Sequence, residues 1–217
     1  MEKRNPKGPS PDDILDVIDL RDFARHAVSR TVPKNTVVVS EGDRTDSLYI
    51  IVSGKVRIYV NDKKGKEVEL GQSGPGEYFG EMVLDEGPRS ASVMTLEPSR
   101  FLVVPLKDFR DFVVNNPAFA LSLIEKLIAR VRSLTESVKS LALMDVYGRV
   151  ARLLLELAEE SGGTMVIAQR LTQQDIASRI GASREMVSRI LKDLSTGGYL
   201  TQSRTGIVLH RKPPEHW

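Results

Sequence analysis

From Pro117 to Met144 the chain runs without a glycine or an internal proline, and apolar residues recur at Ile124, Leu127, Val131, Leu134, Val138 and Leu141. The steps alternate between three and four residues, the spacing that draws one apolar stripe along a helix and closes a coiled-coil seam. At 1.5 Å per residue such a helix is about 40 Å long. An element of that length divides the 217 residues into a part before it and a part after it. Its other faces carry Glu125, Lys126, Arg130, Arg132, Glu136 and Lys139, so the seam is what needs cover. The cover is either the helix's own domain or the same seam on a second copy. The length and the charged flanks point to the second copy, a homodimer whose two-fold axis would extend to whatever follows.

The part before the helix reads as short strands broken by turns, from about Val37 to Val104. Leu48 to Val52 is a buried-strand run, and Lys55 to Val60 alternates apolar and polar residues at period two. Asn61 to Gly65 is a hairpin turn leading into Lys66 to Leu70, with Gly65 at the position that needs a positive φ. Glycines recur at 42, 54, 65, 71, 74, 76, 80 and 87, which suits the corners of a β-barrel or roll.

After the long helix, Asp145 is placed to cap a helix over Val146 to Glu160, closed by Ser161, Gly162 and Gly163. Thr172, followed by Asp175 three residues on, begins another helix. Gly181 and Ala182 turn the chain, and Ser183 caps a last helix from Arg184 to about Ser195, stopped by Gly197 and Gly198. Tyr199 to Thr201 and Gly206 to His210 then alternate like the two strands of a small wing. Ile176, Ala177 and Ile180 line one helix, and Val187, Ile190, Leu191 and Leu194 line the next. The glycine turn between them makes a helix-turn-helix.

Composition narrows the chemistry. There is no cysteine, which removes disulfides, thiolate zinc sites, cysteine-ligated clusters and thiol nucleophiles. The three histidines, His26, His210 and His216, are far apart, and the strand-rich region has none, so no metal site and no catalytic site is expected. The formal net charge is only +2, so nucleic-acid binding has to come from a local basic patch. The N-terminal Met1 to Pro11 is polar, with no apolar run after its basic residues, and no stretch is apolar enough to span a membrane. The expectation is a loose tail, no membrane association and a cytoplasmic location.

Two constellations carry recognition chemistry. On the last helix Arg184, Glu185, Ser188 and Arg189 stay on the outer face at the N-terminal end, the end that enters a major groove. Arginine offers a paired donor to guanine O6 and N7, and glutamate accepts from cytosine N4. Thr172, Gln174, Ser183 and Lys192 are candidates for phosphate contacts. The plain alternative is a solvated helix face with salt bridges. The second constellation runs from Gly76 to Ala91, a short helical turn between strands. There Arg89, the Ser90 hydroxyl and nearby backbone N–H groups can cradle a phosphate, and Glu81 can accept a ribose hydroxyl. An internal Glu81–Arg89 ion pair is the alternative.

The run Ser183-Arg-Glu-Met-Val-Ser-Arg189 resembles the recognition helix of the cyclic-AMP receptor protein/FNR family, and the likeness extends from about Val32 to Leu209. The resemblance implies an α+β chain in three parts. Residues 1–116 hold the tail and a double-stranded β-helix, or β-roll, of the cyclic-nucleotide-binding kind; 117–144 form a long dimerisation helix; 145–217 form a winged helix-turn-helix. In the cyclic-AMP branch the equivalents of Arg184, Glu185 and Arg189 read a TGTGA-like half-site, which implies double-stranded DNA with an inverted repeat as partner. RNA polymerase is implied as a protein partner. The Gly76 to Ala91 run is similar to the family's phosphate-binding cassette. Gly80, Glu81, Arg89, Ser90 and Ala91 match it, with Met82 beside them. In the family the glutamate holds the ribose 2′-hydroxyl, and the arginine and serine hold the cyclic phosphate.

One departure concerns the base. The family's cyclic-AMP receptors contact adenine with a Thr-Ser pair on the long helix, one residue from each subunit. The matching pair here is Leu134-Thr135, of which only Thr135 offers a hydroxyl. Phosphate recognition is therefore expected to be intact while the choice of base is open. Cyclic AMP stands first as effector, cyclic GMP and cyclic di-GMP next, and a constitutive DNA-binding regulator without nucleotide is the remaining alternative. The cluster-bearing FNR branch needs cysteines, and haem-sensing relatives need cysteine or histidine ligands that the strand region lacks. The chain is read as a regulator and not as an enzyme, with no catalytic cofactor.

Overall fold

The computed structural model describes residues 27–44, 46–63, 65–161, 164–203 and 205–214. The expected tail over Met1 to Pro11, His26, His216 and the Gly162–Gly163 pair lie outside the described residues. Contacts divide the chain into two units, residues up to 60 with 70–129, and residues 61–69 with 130–217.

Before the helices the chain forms strands β1 (Val28–Val32), β2 (Val37–Val39), β3 (Ser47–Ser53), β4 (Val56–Asn61), β5 (Glu67–Ser73), β6 (Tyr78–Phe79), β7 (Ser92–Thr95) and β8 (Ser99–Pro105). They form two four-stranded sheets ordered β1-β8-β3-β6 and β2-β7-β4-β5. Strand β3 explains why its sequence is a continuous apolar run. Tyr49 and Ile51 join Val56, Phe79, Val93 and Phe101 in one core, while Leu48 and Ile50 join Tyr78, Val104 and Phe109 in another. A strand buried on both faces has no polar alternation to show. Rings tighten the first core: Tyr49 stacks on Phe79 at 4.9 Å between centroids, and Phe101 meets Phe79 edge-on at 5.6 Å. Gly65 takes φ +78°, as its turn requires.

Two elements of this unit escaped the sequence reading. Strand β1 pairs with β8 in the register Val28↔Val103 to Val32↔Ser99, yet only Val32 is buried, so it carries little apolar signal. Helix α1 (Leu106–Asn115) follows β8 directly and buries Phe109. After it comes α2 (Pro117–Leu143), whose first turns bury Phe119 and Leu123 against the same core. Beyond Leu123 the predicted seam is uncovered in the single chain: Ile124, Leu127, Val131, Leu134, Val138 and Leu141 are all exposed.

The second unit holds the rest of α2, then α3 (Val146–Leu157), β9 (Glu159–Ser161), β10 (Thr164–Ile167), α4 (Gln173–Ile180), α5 (Arg184–Thr196), β11 (Leu200–Gln202) and β12 (Ile207–Leu209). The caps read from the sequence are present. Asp145 accepts the N–H of Gly148, Thr172 and Asp175 form a reciprocal capping box, and Ser183 accepts the N–H of Met186. Gly181 ends α4 at φ +65°.

The expected helix to Glu160 is too long. It stops at Leu157 because Glu159 to Ser161 pair with Thr164 to Val166 as a strand, and ladder bonds replace the last helical turn. The two-stranded wing is likewise half of a four-stranded sheet, ordered β11-β12-β10-β9. Val150, Leu154, Ile167, Ile176, Val187, Leu191, Leu194, Leu200 and Ile207 make the core under it.

Candidate functional site

The first site is the loop between β6 and β7. Gly80 sits at φ +89° and leads into a 3-10 helix over Glu81–Asp85, whose far end is turned by Glu86 at φ +60°. A Cβ on Gly80 would stand 2.5 Å from Nη1 of Arg89, so the position needs glycine for space as well as for backbone angle. Arg89 is buried, and its guanidinium donates from Nη1 to the Gly80 carbonyl at 3.1 Å and from Nη2 to the Ser47 carbonyl at 2.5 Å. Its own backbone is pinned as well: the Arg89 N–H reaches the Asp43 carbonyl, and the Arg89 carbonyl accepts from Gly42. Burial pulls this guanidinium below its ordinary range, while Tyr49, Glu81 and Asp46 draw it back up. A guanidinium stays charged under such opposing influences, so the loop holds a fixed cation.

Glu81 is buried beside this cation, at 5% exposure. Ser90 and Met82 face outward, with the Ser90 hydroxyl donating to the Met82 sulfur at 3.1 Å. Gly80, Glu81, Met82, Arg89 and Ser90 are thus brought together in one loop, and Ala91 leads from it into β7. This donor set fits a small anion carrying a hydroxyl. The arginine and serine can donate to a phosphate, and the carboxylate can accept from a sugar hydroxyl. The sequence reading missed Ser47 and Asp46. Ser47 acts through its carbonyl, which any residue would supply, so no side-chain pattern announces it.

Leu134 and Thr135 lie in the second unit, both exposed on α2. The Thr135 hydroxyl donates to the Val131 carbonyl one turn back, at 2.9 Å.

The second site is the face of α5. Its inner side, Val187, Ile190, Leu191 and Leu194, is buried. That leaves Arg184, Glu185, Arg189 and Lys192 exposed and Ser188 half-buried at the edge. Thr172 and Ser183, candidates for phosphate contacts, also accept a backbone N–H as the helix caps expected of them, at 3.1 and 3.2 Å. A hydroxyl that accepts at its oxygen keeps its proton to donate, so capping and a phosphate contact are compatible. Gln174 is exposed, with its amide 3.4 Å from the Ser178 hydroxyl.

Arg149 also had no sequence signal. It donates to the Met144 carbonyl at 2.9 Å and to the Ile180 carbonyl at 3.0 Å, tying the end of α2 to the end of α4. The break between α2 and α3 is therefore bridged by one side chain.

Comparison with known proteins finds a family model for each part of the chain. Residues 29–116 match the cyclic nucleotide-binding domain, and residues 148–213 match the Crp-like helix-turn-helix domain. The CRP-like cAMP-activated global transcriptional regulator of Mycobacterium tuberculosis is 36% identical over 182 residues, covering 82% of this chain and 81% of that protein. The cAMP-activated global transcriptional regulator CRP of Pasteurella multocida is 31% identical over 196 residues, covering 87% and 92%. Among solved structures, the c-di-GMP-responsive global regulator CLP of Xanthomonas campestris superposes with a TM-score of 0.79 at 27% identity, covering 88% of this chain and 98% of that one.

Proposed function

Because the chain belongs to the CRP/FNR family of transcription regulators, a DNA-binding regulator with a cyclic-nucleotide domain, we propose that it works as a homodimer switched by a cyclic nucleotide bound at the Gly80–Ala91 loop. Its known relatives are regulators and not enzymes. The observation that carries the ligand reading is the buried Arg89 cation, oriented by the Gly80 and Ser47 carbonyls and flanked by the buried Glu81 carboxylate. A buried charge is expensive, and ionisable groups perturbed by burial and by a specific charge partner cluster where ligands are recognised. In this reading Arg89 and Ser90 hold the cyclic phosphate, Glu81 the ribose hydroxyl, and Thr135 the base.

Dimerisation is supported by the exposed seam of α2, which in water has an apolar stripe and no cover. Two copies related by a two-fold axis would present two α5 helices to half-sites about 34 Å apart, an inverted repeat of TGTGA-like sequence. The effector acts by population shift. It favours one packing of the seam, with the hinge near Leu143-Met144-Asp145, and with it one spacing of the recognition helices.

Cyclic AMP is the effector we place first, in keeping with the cAMP-activated relatives. A second reading has a specific observation behind it. Leu134 puts an apolar side chain beside Thr135, and the similar regulator CLP responds to c-di-GMP. Calorimetric titration of the purified protein with cyclic AMP, cyclic GMP and cyclic di-GMP separates them. Binding of one of the three that disappears in Arg89→Leu is the expected result. Equal affinity in Arg89→Leu would remove the loop from consideration.

A further inference from the structure

Met186 is the exposed large hydrophobic residue of the DNA-binding part; from Asp145 onward no other described residue of that kind is exposed. At 39% exposure it stands outside the core under α5, and it is absent from the apolar residues packed around that core. Its backbone N–H is held by the Ser183 cap at 3.2 Å, which fixes it in the first turn of α5. At 100° per residue it lies one step before buried Val187 and one step after Glu185, on the flank of the surface that Glu185 and Arg189 present.

Water and phosphate give a thioether little, since sulfur is a weak acceptor and has no proton to donate. A major groove, in contrast, offers one apolar group, the C5-methyl of thymine, and an unbranched, polarisable side chain reaches such a group easily. We propose that Met186 is a specificity-determining residue that packs on a thymine methyl in each half-site, adding a thymine preference beside the bases read by Arg184, Glu185 and Arg189. This inference rests on α5 entering the major groove.

The test starts from a duplex selected out of random sequence by the full-length protein, with bound nucleotide if one is required. Each thymine of the selected site is replaced by deoxyuridine in both half-sites, which deletes the methyl and leaves every hydrogen-bonding group in place. Affinities are read by fluorescence anisotropy at one salt concentration. Burying a single methyl contributes about fourfold, so removing it from both half-sites is expected to weaken wild-type binding about fifteenfold at one symmetric thymine pair. Met186→Ala should lose that sensitivity, binding both duplexes within about twofold of each other, and Met186→Leu should retain most of it. A wild type indifferent to every thymine methyl, or a Met186→Ala protein with the full deoxyuridine penalty, overturns the inference. If the protein selects no sequence at all, or Arg189→Ala leaves the selected sequence unchanged, the groove reading itself fails and this proposal with it.

Discussion

Val138 tests the dimer with little ambiguity. It lies on the seam of α2 with 66% of its surface exposed in the single chain. Val138→Ala removes two methyl groups worth about 0.8 kcal/mol each when fully buried. Scaled by the two-thirds still available to a partner, the loss is about 1 kcal/mol per protomer. The contact is isologous, so the substitution counts twice, giving about 2 kcal/mol and a dimer dissociation constant raised about thirtyfold. Alanine is the better helix former, by up to about 0.7 kcal/mol, so a loss of association cannot come from a weakened helix. Sedimentation equilibrium across a concentration series reads the constant directly, with circular dichroism to verify helix content. An unchanged dissociation constant, or a wild type that stays monomeric at micromolar concentration, would show that the α2 seam is not a dimer interface.

Further outcomes are expected at the two candidate sites. Gly80→Ala should cost the first unit at least about 1–2 kcal/mol of stability from its φ of +89° and push Arg89 out of place, so urea unfolding and nucleotide titration should both register it. Ser183→Ala should destabilise the DNA-binding unit by about 1 kcal/mol in chemical denaturation through loss of its cap. Ser183→Asp should restore that stability, because a carboxylate caps as well, yet weaken DNA binding by setting an anion beside phosphates. Equal DNA affinity in the Ala and Asp variants would argue against a position close to the DNA backbone.

What the sequence made legible follows the kinds of signal it carries. Caps are local, so Asp145, Thr172 and Ser183 were readable from residue type and spacing, and the structure has each bond. The seam was readable because its period survives over many turns. Strand β9 was not: Glu159, Glu160 and Ser161 are polar and exposed, and only pairing with β10 makes them a strand. Strand β1 was hidden for the same reason, with one buried residue in five. At the loop from Gly80 to Ala91, residue types pointed to Gly80, Glu81, Arg89 and Ser90, whereas the Ser47 carbonyl that orients Arg89 belongs to a strand distant in sequence. Arg149 shows the same limit, since its partners are backbone carbonyls of Met144 and Ile180.

In the proposed function, a cyclic nucleotide at the Arg89 loop changes how tightly the protein holds DNA. The most direct measurement is the affinity of the protein for its selected duplex, taken with and without each of the three cyclic nucleotides, in wild type and in Arg89→Leu. One nucleotide is expected to move the wild-type affinity at least about tenfold, a coupling of about 1.4 kcal/mol, and to leave Arg89→Leu unmoved. A wild-type affinity that is the same in the presence of all three would rule out control of DNA binding by these nucleotides.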